Sequence, residues 1–474
     1  MGVGRRIGDT LRVPGRGARR VIAVVTVLVL AAAVGGAVAL SAPSLVASLG
    51  LARQAAPLQP VEPVPALRAL ATDAPVPTSA GLAAALDEAA DDVPGEFSGT
   101  VLDAADGTVL WERDAATALV PGSTAKVLTA AAALLTLDPG DGFRTQVLAG
   151  SEPGTVVLVG GGDPTLTALP EGELGTYPQP ARLTELAEEV RAAAPGPVER
   201  VLVDLSRWSG PELAQGWAPG DVGGGFVTPI VPLVLDGGRA DPELQDGPRL
   251  TEPAVAAGRA LAELLDADPD ETAEGTAPSG AATLGGVTSA PFSVLVEHLM
   301  RSSDNVLAES LAREVAVARD GEPTFDGAAE ETFAALRQAG FDPTGAVLRD
   351  GSGLSREDAV PARLLGALMA AAAAPTGPDD GTEFLRPIVT GLPVAGGDGT
   401  LDDRFGADTA AGPGRGTVRA KTGTLTGVSS LAGVVTDADG RLLVFALMSN
   451  GVNPATVRPR LDGLAAELTA CGCR

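Results

Sequence analysis

An uncharged run that begins at Val21 (VIAVVTVLVLAAAVGGAVAL) and continues to about residue 51 leaves this chain few choices. Only a helix satisfies its own backbone groups inside a bilayer, and about 20 apolar residues are enough to span one. Six arginines precede the run (Arg5, Arg6, Arg12, Arg16, Arg19 and Arg20), against the single acid Asp9. A flank of that kind stays in the cytoplasm, so the remainder is expected on the far side of the membrane. The run is longer than the roughly 7–15 residues of a secretory h-region, which favours an uncleaved anchor. Ala37-Val38-Ala39 still offers a signal cleavage site. Residues 1–20 therefore read as a basic cytoplasmic tail and 21–42 as a transmembrane anchor or signal. Residues 43–80, rich in proline and alanine, read as a semi-extended linker.

The rest of the chain has the means to fold. Of 474 residues, 45% are hydrophobic and 20% charged, more chain than one compact domain usually needs. The formal charge of −26 argues against nucleic acid and anionic lipid as partners. His298 is the one histidine, which argues against a zinc site built on several histidines and leaves a Ser-His-Asp triad a single candidate. On its helix, five residues before Ser303, it reads as structural. Cys471 and Cys473 stand at the C-terminus as CGCR. A CxC bridge closes a small ring, and two cysteines alone make a poor metal site. The tail is expected to do little, and the fold to rely on no disulfide framework.

Periodicity divides the exported part into three stretches. In 81–142 a helix-like run (LAAALDEAADDV) precedes two strands around an Asp-Gly turn (FSGTVLDAADGTVLWERDA). A Pro-Gly turn then enters an Ala/Leu helix (LVPGSTAKVLTAAAALLTL). In 143–287 short strands (TVVLVG, VERVLVDL) mix with Gly/Pro loops and an acidic stretch from Ala267 to Pro278, the texture of an inserted domain. In 288–474 helices return (FSVLVEHLMRSS, NVLAESLAREVAVA, EETFAALRQAG), and after them come three strands (RAKTGTL, SSLAGVVTD, RLLVFALMS) and a last helix from Pro454 to about Ala470.

Only two of the 34 basic residues are lysine, Lys126 and Lys421. Coding bias explains the scarcity but not the positions. Lys126 ends Ser123-Thr124-Ala125-Lys126, where two residues three apart share a helix face, so the amine reaches the hydroxyl. A serine is a weak nucleophile until a base takes its proton. A neutral amine does this; a guanidinium does not. Ser303-Asp304-Asn305 lies between two helices. Its hydroxyl suits a proton relay, and its amide suits contact with both a lysine and a substrate carbonyl. Lys421-Thr422-Gly423 lies on a strand. There glycine allows close approach of a backbone to a ligand, and lysine and threonine suit a carboxylate. Taken singly, each has a bland alternative: a helix-start serine, an N-cap, a solvated edge lysine.

SxxK, SxN and KTG in this order, each on its expected element, resemble the penicillin-recognising serine acyl-transferases. The chain is similar to the class C low-molecular-mass penicillin-binding proteins, the D-alanyl-D-alanine carboxypeptidase/endopeptidase family. LVGGGDPTL (Leu158–Leu166), RDGSGLSR (Arg349–Arg356) and AKTGTLTGVSSLAG carry the match further, from roughly Ala84 to Ala466. Ser123 and Ser303 stand 180 residues apart, the long interval that marks class C.

The resemblance implies an α+β fold, a penicillin-binding/β-lactamase-like transpeptidase domain with an antiparallel five-stranded sheet flanked by helices and an inserted second domain. It implies Ser123 as nucleophile, Lys126 as its base, and Ser303, Asn305 and Lys421 as the rest of the catalytic set. The backbone N–H groups of Ser123 and Thr424 would form the oxyanion hole. Thr422, Gly423 and Thr424 would receive the terminal carboxylate of D-Ala-D-Ala. For the pocket that reads the stem-peptide side chain it implies Asp204 for the amine, Arg356 for the carboxylate and Trp208 as an apolar wall. Thr426 stands where relatives carry glutamine. The implied partners are peptidoglycan stem peptides, β-lactams as inhibitors and the membrane through the anchor, with no nucleic acid, metal or cofactor. Two rivals differ in kind. A β-lactamase would need an ExxLN-like segment, which the chain lacks, and a non-catalytic wall-binding protein with a relic fold would leave the motif residues dispensable.

Overall fold

The computed structural model describes residues 74–375 and 383–474. The basic tail expected over 1–20, the anchor or signal over 21–42 and the linker as far as residue 73 lie outside them. Among the described residues no helix is long and apolar enough to cross a membrane.

Helix α1 (Ser79–Asp91) starts where Thr78 Oγ1 accepts the Gly81 amide. The hairpin β1 (Glu96–Asp103) and β2 (Val109–Arg113) and the short strand β3 (Ala118–Leu119) lead to one 3-10 turn, Gly122–Ala125. This turn passes directly into α2 (Lys126–Thr136). Next come β4 (Arg144–Ala149), β5 (Thr155–Val159), α3 (Leu183–Ala193), β6 (Arg200–Asp204), α4 (Pro253–Leu264), β7 (Ala273–Glu274) and β8 (Thr283–Thr288). The chain then forms α5 (Phe292–Ser302), α6 (Asn305–Ala318), α7 (Phe325–Gln338), β9 (Val360–Pro361), α8 (Ala362–Ala373) and α9 (Arg386–Thr390). It closes with β10 (Arg419–Leu425), β11 (Val428–Thr436), β12 (Leu442–Asn450) and α10 (Pro454–Ala470).

The main sheet has the order β10-β11-β12-β1-β2 and is antiparallel throughout. Its centre joins distant parts of the chain, since β1 pairs with β12 from Glu96↔Asn450 to Asp103↔Leu443. A second sheet, β7-β6-β5-β4-β8, draws all its strands from residues 144–288 and mixes parallel with antiparallel pairing.

Both faces of the main sheet are covered, and the period of two decides which side chain goes where. Val444, Ala446 and Met448 of β12 join the core under α8, α2 and α5. Leu443, Phe445 and Leu447 face the other way, into the core beneath α1 and α10. A slip of one residue would exchange the two sets. Each fully buried large apolar side chain contributes roughly 1.5–3 kcal/mol relative to exposure, so the register is firmly held. Helix α2 is buried from Lys126 to Leu134, the pattern of a central helix packed on all sides. It touches α5, α6 and α7 and brings its N-terminal end against β10 and β11 through the preceding 3-10 turn.

The C-terminal tail departs from expectation. Cys471 and Cys473 are joined by a disulfide, and the tail is built into the fold. Cys471 is buried with the α1–α10 core, and the Cys473 carbonyl accepts the Thr78 amide at 2.7 Å. The run of residues lacked any signal for this, because the partner is the start of α1, nearly the whole domain away in sequence.

Candidate active site

Three segments meet at one place. Ser123 sits half-buried in the 3-10 turn, so its hydroxyl remains reachable, while Lys126 one turn on has no exposure at all. Lys126 Nζ lies 3.1 Å from Ser123 Oγ, 2.6 Å from Asn305 Oδ1 and 2.7 Å from the Ser352 carbonyl. The two carbonyl oxygens accept two amine hydrogens. The remaining direction faces Ser123, where a neutral amine presents its lone pair. Burial pushes the Lys126 amine down to about 8, against the upward pull of Asp350, Glu309 and Asp304.

The turn between α5 and α6 supplies the opposite wall. Ser303 adopts the left-handed conformation (φ 61°, ψ 32°), at a strain cost of about 1–3 kcal/mol that functional sites commonly carry. Asp304 then caps α6 by accepting the Leu307 amide at 2.9 Å, and Asn305 opens the helix. Asn305 Nδ2 donates to the Phe226 carbonyl at 2.9 Å, so its amide is fixed at both ends.

Lys421 lies on the edge strand β10 but points inward, without exposure. The solvated edge lysine is thus excluded. Its Nζ donates to Ser303 Oγ at 2.7 Å and to the Thr422 carbonyl at 2.9 Å. Burial first, and the Lys126 cation second, push the Lys421 amine well below its ordinary value.

Gly423 has no alternative here. A Cβ at that position would stand 2.1 Å from Ser430 Oγ and 2.4 Å from the Pro121 carbonyl, both fixed parts of the fold. It would also lie 3.1 Å from the Ser123 amide nitrogen, and a Cβ on Gly122 would lie 3.0 Å from that of Thr424. The backbone at Gly122–Ser123 and that at Gly423–Thr424 are therefore packed directly against each other. Thr422 is buried, its hydroxyl donating to Thr400 Oγ1 at 2.8 Å, while Thr424 is half-buried beside Ser123.

The three residues expected for the side-chain pocket stand in different surroundings. Asp204 ends β6, and its oxygens accept the Ser206 and Ala277 amides at 2.9 and 2.8 Å. One oxygen holds its own turn and the other ties that turn to the segment after β7. Trp208 is a core aromatic whose Nε1 donates to Glu314 Oε1 at 2.9 Å. Arg356 is exposed and forms no ion pair among the described residues. The loop from Trp217 to Phe226 does border the site. Trp217 and Val222 pack in the cluster that includes Leu354 and Leu425, and Phe226, 58% exposed, offers its carbonyl to Asn305. Sequence reading also missed the Ser352 carbonyl. The DGSG run was its only signal, a turn that brings a backbone close to something. His298 packs its ring 5.3 Å from that of Tyr177.

A serine whose proton faces a buried amine, with a second amine–hydroxyl pair across the cleft, on this α+β fold, defines a serine acyl-transferase of the SxxK type. The sequence pattern of the D-Ala-D-Ala carboxypeptidase 3 (S13) family matches residues 81–253 and 246–470, and the chain belongs to that family, the class C low-molecular-mass penicillin-binding proteins. A carboxypeptidase of Mycobacterium tuberculosis is 45% identical over 426 residues, covering 88% of this chain and 90% of its own. Carboxypeptidase DacB of Mycolicibacterium smegmatis is 46% identical over 404 residues, covering 84% and 86%. The crystal structure of penicillin binding protein 4 (dacB) from Haemophilus influenzae superposes with a TM-score of 0.66 at 22% identity, covering 81% of this chain and 99% of that one. That likeness supports the fold.

Proposed function

We propose that this protein acts outside the cytoplasm, held to the membrane by its N-terminal apolar run, and trims peptidoglycan stem peptides through an acyl-enzyme on Ser123. Its activity is that of a serine-type D-Ala-D-Ala carboxypeptidase. The observation that carries the assignment of the nucleophile is the environment of Lys126: a fully buried amine, two of its hydrogens taken by fixed carbonyls, its third direction on Ser123 Oγ.

In the first step Ser123 Oγ attacks the carbonyl carbon between the last two D-alanines and gives its proton to Lys126 Nζ. The oxyanion is met by the Ser123 and Thr424 amides. The intermediate collapses, the C–N bond breaks, and the departing amine takes a proton from Ser303, whose own proton is restored by the one held on Lys126, so that Lys126 is neutral again; Lys421 orients the Ser303 hydroxyl. Thr422 and Thr424 receive the terminal carboxylate. Water then attacks the ester, with Lys126 again accepting a proton, and Ser123 is restored. A β-lactam presents the same geometry, but its leaving group stays tethered, so the ester persists. An endopeptidase reaction at a D-Ala–diaminopimelate cross-link uses the same steps with a different amine leaving.

Three further points belong to this reading. Residues 143–287 form an inserted domain within a transpeptidase domain made of 81–142 and 288–474. The apolar side of the stem peptide rests on Phe226 and Trp217 rather than on Trp208. Arg356, exposed beside the Trp217 loop, is free to meet a carboxylate. The test is a purified exported domain given a pentapeptide and, separately, a cross-linked dimer. D-Alanine release from the pentapeptide is expected, and its absence would defeat the carboxypeptidase reading.

A further inference from the structure

Lys126 depends on one acceptor that is not a side chain, the Ser352 carbonyl, and that carbonyl stands in a short loop held from several directions. Glu309 Oε2 accepts the Gly351 amide and Glu309 Oε1 the Ser352 amide, each at 2.8 Å. Asp350 Oδ1 accepts the Ser352 and Gly353 amides at 3.1 and 2.6 Å. Thr129 Oγ1, on α2 three residues after Lys126, donates to the Gly351 carbonyl at 2.6 Å. The loop has no slack on the other side, because a Cβ on Gly353 (φ 78°) would stand 2.0 Å from the Gly122 carbonyl, next to Ser123.

Glu309 is 1% exposed and sits on α6 four residues after Asn305, so both share one helix face. One helix therefore reaches Lys126 twice: directly through the Asn305 amide, and indirectly through the carboxylate that grips the successive Gly351 and Ser352 amides. We propose that Glu309 is a positioning residue for the general base, fixing the Ser352 carbonyl so that the Lys126 lone pair is aimed at Ser123.

The grip requires two acceptor oxygens at one reach. Glutamine supplies one and turns hydrogens toward the other amide. Aspartate keeps both oxygens but falls short. The neighbourhood mixes both signs: Asp350 and Asp358 face Glu309 from the loop, Arg313 from its own helix and Lys126 from α2. Burial and Asp350 push the Glu309 carboxyl upward, while the Ser352 and Gly351 amides and Arg313 act against that and favour the carboxylate.

This inference rests on Ser123 acting as the acylated residue with Lys126 as its base. The experiment measures acylation by a fluorescent penicillin in the exported domain, separating the encounter dissociation constant from the acylation rate constant, for wild type, Ser123→Ala, Glu309→Gln, Glu309→Asp and Glu314→Gln. Glu314 is another buried acid of α6 that grips Arg207 and Trp208 instead. Glu309→Gln is expected to lower the acylation rate constant at least ten-fold with the encounter constant within about three-fold, Glu309→Asp to recover part of the loss, and Glu314→Gln to stay within about two-fold of wild type. A folded Glu309→Gln that acylates at the wild-type rate, with Ser123→Ala silent, overturns the inference alone. Labelling of Ser123→Ala overturns the acyl-serine reading beneath it. If Glu309→Gln shows no cooperative melting, Thr129→Val, which releases the same loop from α2, is read in its place, and wild-type acylation there overturns the inference equally.

Discussion

Arg239 Nη2 donates to Asp304 Oδ2 at 2.8 Å with both side chains wholly out of solvent. The bond ties the stretch that carries the second sheet to the middle residue of the Ser303-Asp304-Asn305 turn. Tyr177 Oη also donates to Asp304 Oδ2, and it accepts from Arg239 Nη1. Burial opposes the charge on Asp304, but Arg239 and Arg249 outweigh it and hold the carboxyl far below the usual range. Arg239→Met strands a buried anion and should cost about 3–5 kcal/mol in urea unfolding. The double variant Arg239→Met/Asp304→Asn should regain part of that. A loss below about 1 kcal/mol would show that the pair contributes little. Because the folded pKa of Asp304 lies beneath its unfolded one, its stabilisation is present above roughly pH 4 and lost as pH falls further.

Acylation should follow the neutral fraction of Lys126. With the amine at about 8, the rate constant for penicillin acylation should climb with unit slope below that pH and level off above it. Stopped-flow fluorescence across the range checks this. A profile that stays flat from about pH 6 to about pH 9 would deny Lys126 the role of base.

Lys126→Arg keeps the charge and removes the ability to shed it. The variant should lose acylation by at least about a thousand-fold, at the upper part of the range for a general base. Penicillin labelling on a gel reads the loss, and labelling within ten-fold of wild type would contradict it.

Asp204 holds a turn, so its replacement should act on stability and not on substrate choice. Asp204→Asn is expected to cost about 1–3 kcal/mol, the usual penalty for disturbing a buried acceptor. Pentapeptide kcat/KM should stay within about two-fold, whereas Phe226→Ala should raise KM. A selective loss of affinity for the diaminopimelate side chain in Asp204→Asn would restore that residue to the pocket.

The parts legible in the sequence were those written in local signals. The Asp-Gly turn between β1 and β2, the short apolar runs of β11 and β12 either side of a turn, and the periodic runs of α5, α6 and α7 are all signals of that kind. Two of the three motifs were legible because the two scarce lysines stand in them, and the third by its order between them. Helix α8 (Ala362–Ala373) was missed because an alanine-rich run has no polar face to mark its period, being buried nearly all round. The contacts of Asp204 and Trp208 were hidden for another reason. An acid and an aromatic near a strand end look the same in sequence whatever they touch, and the bonds to the Ser206 and Ala277 amides and to Glu314 appear only in the fold. Ser352 and Glu309 were invisible because the contact with Lys126 runs through a carbonyl and two amides, which every residue carries.

The most direct test of the account is the site of the covalent adduct. Intact-protein and peptide mass spectrometry after exposure to penicillin should find one adduct per molecule, on the peptide containing Ser123, and none in Ser123→Ala. An adduct that persists in Ser123→Ala, or one that maps to any other residue, would contradict the account at its centre.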